Sequence, residues 1–306
     1  MKTKSIITSL FVIIAIVAIG FGVANCGGCQ CDSGNQCSCT GKCSCQNCKC
    51  DNCVKEAPKN LNLSIYIDLS DRIIKEQNGY KQVDKDLEII NSITQRLSDK
   101  VWNKNIKYAK DCIKVFFYPS PNDSQINKLS QELVVNFGDF NKKQVQDKMD
   151  KATNLSKNFN NILTTIYTSA LNDNKFYGSD IWGFFDTKAN DMCVKDGYRN
   201  ILVILTDGYI YDDHINKKDA NGGQNFITPQ SLAAETPLTP LNEGKKIDNL
   251  EVLVLEVNAN PEGDFHKIET TIGNWFKTMG ISKYKIVQTD LPANTKTIIE
   301  NFLNEK

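Results

Sequence analysis

Apolar residues along most of the chain fall into short runs that have the length of β-strands. The run at 61–68 alternates with polar residues and then becomes continuous, as in a strand buried on both faces. Further runs predict strands at 113–118, 133–137, 201–206, 250–257 and 284–288. The run at 201–206 is the most hydrophobic of them, which is typical of a central strand in a parallel sheet.

Between these runs, apolar residues recur every three or four positions, which is the spacing of an amphipathic helix. This spacing predicts helices at 84–104, 144–172, 264–279 and 295–303. Strands that alternate with helices from residue 61 onward predict an α/β fold. We expect a doubly wound, mostly parallel central sheet with helices on both of its faces.

The first 60 residues differ from the rest and divide into three pieces. Residues 1–25 read as a signal peptide or membrane anchor, 26–53 as a cysteine-rich low-complexity segment, and 54–60 as a linker to the body at 61–306. Residues 6–23 are apolar or glycine except for Thr8 and Ser9. About 20 such residues suffice to cross the hydrocarbon core of a bilayer. Because lysines flanking a span stay in the cytoplasm, Lys2 and Lys4 place everything after the span outside it.

The end of the apolar run, Val23-Ala24-Asn25-Cys26, resembles a bacterial lipoprotein signal, in which the cysteine becomes the lipidated N-terminus. The resemblance implies lipidation at Cys26 and a membrane-anchored, extracytoplasmic place in the bacterial cell envelope. An uncleaved spanning anchor and a secreted soluble product are the alternatives. All three alternatives leave the body of the chain outside the cytoplasmic membrane.

Ten of the 12 cysteines lie between Cys26 and Cys53, where they form four Cys-X-Cys units. Two thiolates one residue apart are poorly placed to form one disulfide but suit one soft cation. The segment resembles a metallothionein, which implies bound Zn²⁺ or Cu⁺. Its thiolate ligands would be Cys29, Cys31, Cys37, Cys39, Cys43, Cys45, Cys48, Cys50 and Cys53. A disulfide-stapled stalk is the alternative, since extracytoplasmic cysteines are commonly oxidised.

We predict that the reduced segment 26–53 binds more than one Cd²⁺ per peptide, because its thiolates are close enough to share soft ions. Titration with Cd²⁺ should produce ligand-to-metal charge-transfer absorbance that saturates above one equivalent. A native segment with neither free nor metal-bound thiols would instead establish the disulfide alternative.

Polar side chains follow two of the predicted strands directly. The first strand ends in Asp68-Leu69-Ser70, and the strand at 201–206 ends in Thr206-Asp207-Gly208. A loop containing Gly178-Ser179-Asp180 lies between them in the chain and leads into a helix. Ligands of open parallel sheets bind in the crevice at the carboxyl ends of the strands, so we expect these groups to face one site. Taken singly, each motif also fits a helix cap or a turn.

In this order the three motifs resemble a von Willebrand factor A domain, and the resemblance covers residues 61–306. It implies a metal-ion-dependent adhesion site for Mg²⁺, with Mn²⁺ or Ca²⁺ as alternatives. The ligands would be Asp68, Ser70, Ser179 and Asp207. The family's first motif is Asp-X-Ser-X-Ser, and Arg72 stands at the position of its second serine. A metal-free site of the same shape is therefore the alternative, with the Arg72 guanidinium as the positive charge between the two carboxylates.

Charge and composition narrow the range of functions. Lys plus Arg and Asp plus Glu are both 36, so the net charge of zero gives no basis for nucleic-acid binding. The sequence contains no nucleophile elbow, phosphate loop or zinc-protease motif, and we therefore expect no enzyme.

The sequence predicts a membrane-tethered, extracytoplasmic protein-binding domain that acts in metal-ion-dependent adhesion or as a scaffold. If a metal is bound, its open position would accept a Glu or Asp carboxylate of a protein partner. A metal-handling protein that binds soft ions through its cysteines is the alternative. The long segment between Asp207 and the strand at 250–257 is the predicted specificity loop, and Cys112 and Cys193 are expected to be isolated buried thiols.

Overall fold

The computed structural model describes residues 59–172, 176–210, 227–233, 246–259 and 263–305, together with the backbone of four short strands between residues 29 and 55. The chain divides into two compact units, Met1–Pro58 and Lys59–Lys306. In the first unit, Cys29–Cys31 pairs antiparallel with Cys37–Cys39, and Lys42–Cys43 pairs parallel with Val54–Lys55. The predicted anchor, the lipidation site and the thiolate side chains lie outside the described residues.

No helix within the described ranges is long and apolar enough to cross a membrane. The apolar run at 6–23, on which the prediction of an anchor depends, is not in those ranges.

One mixed sheet forms the centre of the second unit. Its strands in the described part of the chain are β1 (Leu61–Ile67), β2 (Cys112–Phe116), β3 (Val134–Asn136), β4 (Arg199–Leu205), β5 (Leu250–Val257) and β6 (Tyr284–Gln288). Their spatial order is β6-β5-β4-β1-β2-β3. Every neighbouring pair is parallel except β2 and β3, which are antiparallel. The predicted α/β fold with a mostly parallel sheet is confirmed.

Helices cover both faces of this sheet. They are α1 (Gln82–Asn103), α2 (Ser124–Glu132), α3 (Val145–Thr153), α4 (Leu155–Asn172), α5 (Ile181–Thr187), α6 (Ala189–Cys193), α7 (Pro229–Ala233), α8 (Asp264–Thr278) and α9 (Pro292–Asn304). Successive side chains of β4 enter opposite cores, since strand residues alternate between faces. Val203 packs with α1, α4 and α9, whereas Leu202 packs with α5 and α8. The sheet is therefore doubly wound, as predicted.

The helices between residues 124 and 172 differ from the prediction. The single helix expected at 144–172 is broken at Asn154, which separates α3 from α4. Helix α2 was not predicted, because Ile126 is its one fully buried residue and its hydrophobic period is correspondingly weak. Asp123 begins α2 by accepting hydrogen bonds from the main-chain N–H groups of Gln125 and Ile126.

The order of the strands places a topological switch point between β1 and β4. The chain leaves β1 toward β2 on one side and leaves β4 toward β5 on the other. Leu205 lies opposite Ile67 in the ladder, so the two strands end at the same level. The residues that follow them, Asp68 and Thr206-Asp207, therefore meet where open α/β sheets bind ligands.

Candidate functional site

The ends of β1 and β4 are joined by hydrogen bonds to and from Asp68. Its main-chain N–H donates to the Leu205 carbonyl at 3.0 Å. The Thr206 hydroxyl donates to Asp68 Oδ2 at 2.8 Å, and the Ser70 main-chain N–H donates to Asp68 Oδ1 at 2.8 Å. Asp68 is fully buried, so these donors replace the water that a carboxylate normally holds. We call the ends of β1 and β4, with the loop at 178–180, the switch-point edge.

Burial dominates the electrostatics of Asp68. It raises the pKa of this carboxyl to about 6, and the neighbouring Asp207 carboxylate raises it too. Arg72 and the hydrogen bonds from Ser70 act in the opposite direction. Asp68 and Asp207 are therefore close enough to repel each other, as the sequence predicted for carboxylates at one edge.

Asp207 is held by one main-chain and one side-chain donor. Its Oδ1 accepts from the Tyr209 N–H at 3.1 Å, and its Oδ2 accepts from Lys75 Nζ at 2.8 Å. The Asp207 side chain is 7% exposed and that of Lys75 is 40% exposed. Gly208 has a φ of +94°, and a Cβ there would lie 3.0 Å from side-chain atoms of Val257 and Ile268. The glycine of the Thr-Asp-Gly motif is thus required by the turn that presents Asp207.

The two predicted serines, Ser70 and Ser179, are held at the switch-point edge by different contacts. Ser70 begins a short 3₁₀ turn, Asp71–Ile74, which matches the helix-cap alternative. Ser179 Oγ lies 3.0 Å from the Tyr66 hydroxyl, and that hydroxyl donates to the Tyr118 carbonyl at 2.6 Å. Since a tyrosine has one hydroxyl proton, Ser179 donates to Tyr66. Tyr66 precedes Asp68 by two residues, so Ser179 lies on the face of β1 that carries Asp68.

Main-chain bonds hold the serine loop against the end of β1. Leu69 and Gly178 form an isolated antiparallel bridge, and the Tyr177 N–H donates to the Leu69 carbonyl at 3.0 Å. Asp180 is the N-cap of α5 and accepts from the Gly183 N–H at 2.6 Å. The structure therefore brings the three predicted motifs together.

Arg72 does not have the role that the sequence offered for it. Its Nε donates to the main-chain carbonyl of Asp68 at 3.0 Å, and its terminal nitrogens donate to Asp86 Oδ1 and Oδ2 at 3.3 and 2.6 Å. The residue is 1% exposed. Within the described ranges, its side-chain hydrogen bonds thus go to Asp86 and a carbonyl, and not to the carboxylates of Asp68 and Asp207. Asp86 is the carboxylate that turns the guanidinium away from the edge.

The Arg72–Asp86 pair belongs to a buried polar network that the sequence did not predict. Asp86 also accepts from the Tyr167 hydroxyl at 2.7 Å and from Gln82 Nε2 at 3.0 Å. Gln82 reaches Glu256 Oε2 at 3.2 Å, and Lys85 donates to the same oxygen at 3.1 Å. This network connects α1 with α4 and β5. The sequence held one indication of this network, because Asp86 and Lys85 stand among the apolar positions of the predicted helix.

The donor types at the edge are those of a hard cation, but the Lys75 ammonium already lies against one of the two carboxylates. Asp68, Ser70, Ser179 and Asp207 offer carboxylate and hydroxyl oxygens, which Mg²⁺ prefers. A dication there would lie beside the Lys75 ammonium on Asp207, and like charges repel. Among the described residues, no group of three or more His, Cys, Asp or Glu side chains is placed to hold a metal ion. The metal site stays a prediction from the sequence.

Comparisons with known proteins gave five matches among solved structures, and three of these are described below. A scan of protein-family models and a search of curated proteins gave no match. An aerotolerance-related membrane protein from Bacteroides fragilis NCTC 9343 matches with 11% identity and a TM-score of 0.34, over 81% of this chain and 100% of that chain. The conserved hypothetical protein BatB from Bacteroides thetaiotaomicron matches with 12% identity and a TM-score of 0.35, over 80% and 100%. The pilus adhesin SpaC from Lactobacillus rhamnosus GG matches with 11% identity and a TM-score of 0.39, over 81% of this chain and 30% of that chain.

Matches at these identities and TM-scores carry no inference about function. The description of the fold rests on this chain's own strand order and on the helices that cover both faces of its sheet.

We predict that Asp86→Ala lowers the free energy of unfolding by about 3–5 kcal/mol, because it leaves the Arg72 guanidinium buried without its carboxylate. Urea unfolding followed by circular dichroism measures the change. Asp99→Ala is the matched control, since Asp99 is an exposed carboxylate on the same helix, and its effect should stay within about 0.5 kcal/mol. Equal effects of the two substitutions would contradict the importance of the buried pair.

We also predict that Asp68 makes the protein less stable as the pH rises from about 4 to about 6. In this window the folded protein holds a proton on Asp68 that the unfolded chain has released, so raising the pH favours unfolding. Asp68→Asn should remove this part of the pH dependence, and Asp99→Asn should keep the wild-type slope. Urea unfolding at a series of pH values tests this, and an unchanged slope in Asp68→Asn would contradict it.

Proposed function

We propose that residues 61–306 form a protein-binding domain, that residues 1–25 tether it to the membrane outside the cytoplasm, and that the partner docks at the switch-point edge. The observation that supports this proposal most directly is the fixed polar geometry of the edge. Asp207 is held from one side by the Tyr209 N–H and from the other by Lys75. A surface whose polar groups are already positioned loses little conformational entropy when a partner binds.

The chemistry of the described residues supports a binding role over a catalytic one. His266 is 89% exposed and pairs with Glu269 on its own helix. Burial raises the pKa of the Cys193 thiol to about 11 and also raises that of Cys112, so neither thiol is activated as a nucleophile. Both are free and buried, as the sequence predicted.

The second candidate function is the handling of soft metal ions by the cysteine-rich segment. The observation that favours it is the presence of four Cys-X-Cys units between Cys26 and Cys53. The two functions use different parts of the chain, so deletion of residues 26–53 separates them. Partner binding that survives the deletion supports the first function, whereas metal sensitivity of a strain that carries the deletion supports the second.

We predict that Asp207→Asn lowers capture of the partner by roughly tenfold or more, which corresponds to the loss of about one charge-assisted contact. The measurement is crosslinking and affinity capture of the full chain from envelope membranes, with the captured partner quantified for each variant. Asp196→Asn is the matched control, because Asp196 is exposed and lies three residues before β4, at the opposite end of the strand from Asp207. Equal capture by the two variants would contradict docking at the switch-point edge.

A further inference from the structure

We infer that the Lys75 ammonium is the built-in cation of the switch-point edge. It takes the electrostatic place that a dication would hold beside Asp68 and Asp207, and the native protein therefore binds no Mg²⁺ there. The inference concerns the edge at which we propose that a partner docks, but it requires no partner and is tested without one.

Lys75 is positioned by its main chain as well as by its ion pair. Its N–H donates to the Arg72 carbonyl at 3.0 Å, and its carbonyl accepts from the Gln82 N–H at 2.9 Å. The residue is thus fixed between the 3₁₀ turn after β1 and the first residue of α1. From this position its Nζ lies 2.8 Å from Asp207 Oδ2. The main chain thus places the start of the side chain beside the edge, and one ion pair holds the ammonium on Asp207.

The other cations near the edge have different partners. The Arg72 guanidinium binds Asp86, and Lys85 Nζ lies 3.1 Å from Glu256 Oε2. Among the described residues, it is Lys75 that forms a salt bridge to an edge carboxylate, namely Asp207.

A magnesium ion would meet two obstacles at this edge. Mg²⁺ requires six oxygen ligands in near-octahedral geometry and gives up its water reluctantly. Arg72 stands where the resemblance to the adhesion family has a second hydroxyl ligand, and its side chain is directed to Asp86. The ion would also have to displace Lys75 from Asp207 or lie next to it. Lys75 thus occupies one carboxylate that the ion would need, and Arg72 supplies no oxygen ligand.

This arrangement changes the expected behaviour of the proposed binding function. A metal-dependent adhesion site loses its partner when a chelator removes the ion. With Lys75 as the cation, capture of the partner should persist in EDTA. The ammonium has three donors, and the hydrogen bond to Asp207 uses one of them.

The test is a titration of the full chain with Mg²⁺ by calorimetry, combined with the thermal midpoint at millimolar Mg²⁺. The hard ion is chosen because thiolates do not select it, so the cysteine-rich segment adds no signal. We expect no binding heat and no shift for the wild type. Lys75→Met should bind Mg²⁺ and gain thermal stability with it, because Asp207 then lacks its ion-pair partner and a ligand that binds the folded state stabilises it.

Lys110→Met is the matched control, because Lys110 is exposed and lies two residues before β2, at the opposite end of the sheet. It should behave as the wild type does. Lys75→Arg keeps a cation beside Asp207 and should likewise show no binding.

A wild-type chain that binds Mg²⁺ at millimolar concentration, with a rise in midpoint that Asp207→Asn abolishes, would overturn the inference. So would a folded Lys75→Met variant that gains no Mg²⁺ binding. If Lys75→Met does not fold, NMR of the ¹³C-methylated wild type decides. The Lys75 resonance, assigned by its absence in Lys75→Arg, should not move when Mg²⁺ is added, and displacement from Asp207 would move it. None of these results depends on a partner, so they are independent of the capture experiment.

Discussion

The repulsion between Asp68 and Asp207 is the constraint around which the switch-point edge is built. Parallel pairing brings β1 and β4 to an end at the same level, so the residues that follow them share one buried place. Removing two carboxylates from water is unfavourable unless donors and a counter-charge replace it. The Thr206 hydroxyl and the Ser70 N–H supply donors to Asp68, and Lys75 supplies the charge on Asp207.

The buried network of Arg72 and Asp86 follows from the same requirement that buried charges be paired. A guanidinium that follows Asp68 by four residues would be drawn to the edge carboxylates unless a stronger partner held it elsewhere. Asp86 is that partner, and it is itself kept in place by Tyr167 and Gln82. The bidentate pair leaves Arg72 with one contact to the edge, through the main-chain carbonyl of Asp68. The network therefore fixes the direction of α1 relative to β1 and keeps the arginine out of the crevice.

The sequence alone was sufficient to predict the sheet and the residues at the carboxyl ends of its strands, because both depend on local patterns. Strand β5 was predicted at the bounds that the structure has, and Asp68 and Asp207 come just after the apolar residues that end β1 and β4. The direction of a long side chain is not a local pattern. Lys75 reaches a residue 132 positions away, so nothing in its own neighbourhood indicated Asp207 as its partner.

Two other residues escaped prediction for a related reason. Asp86 lies in the helix predicted at 84–104 and is fully buried, because the Arg72 guanidinium pairs with it from the 3₁₀ turn after β1. Glu256 lies within an apolar strand, where its positive φ of 68° and its contacts to Gln82 and Lys85 depend on elements distant in the chain. The hydrophobic periodicity of a sequence does not predict charged residues that are buried in pairs, because each one taken alone has the character of a surface residue.

The exchange of a metal ion for an ammonium would keep the shape of such an edge and change what it recognises. A dication accepts lone pairs from any direction that its octahedron leaves open, and it imposes that geometry on a partner's carboxylate. An ammonium donates hydrogen bonds from a flexible stem, and it offers one positive charge where the ion offers two. With Asp68 and Asp207 both ionised, Lys75 leaves this group of three with a net negative charge, whereas a dication would have neutralised the two carboxylates. If a partner docks at this edge as we propose, Lys75 would attract an acidic side chain of that partner less strongly than a dication would.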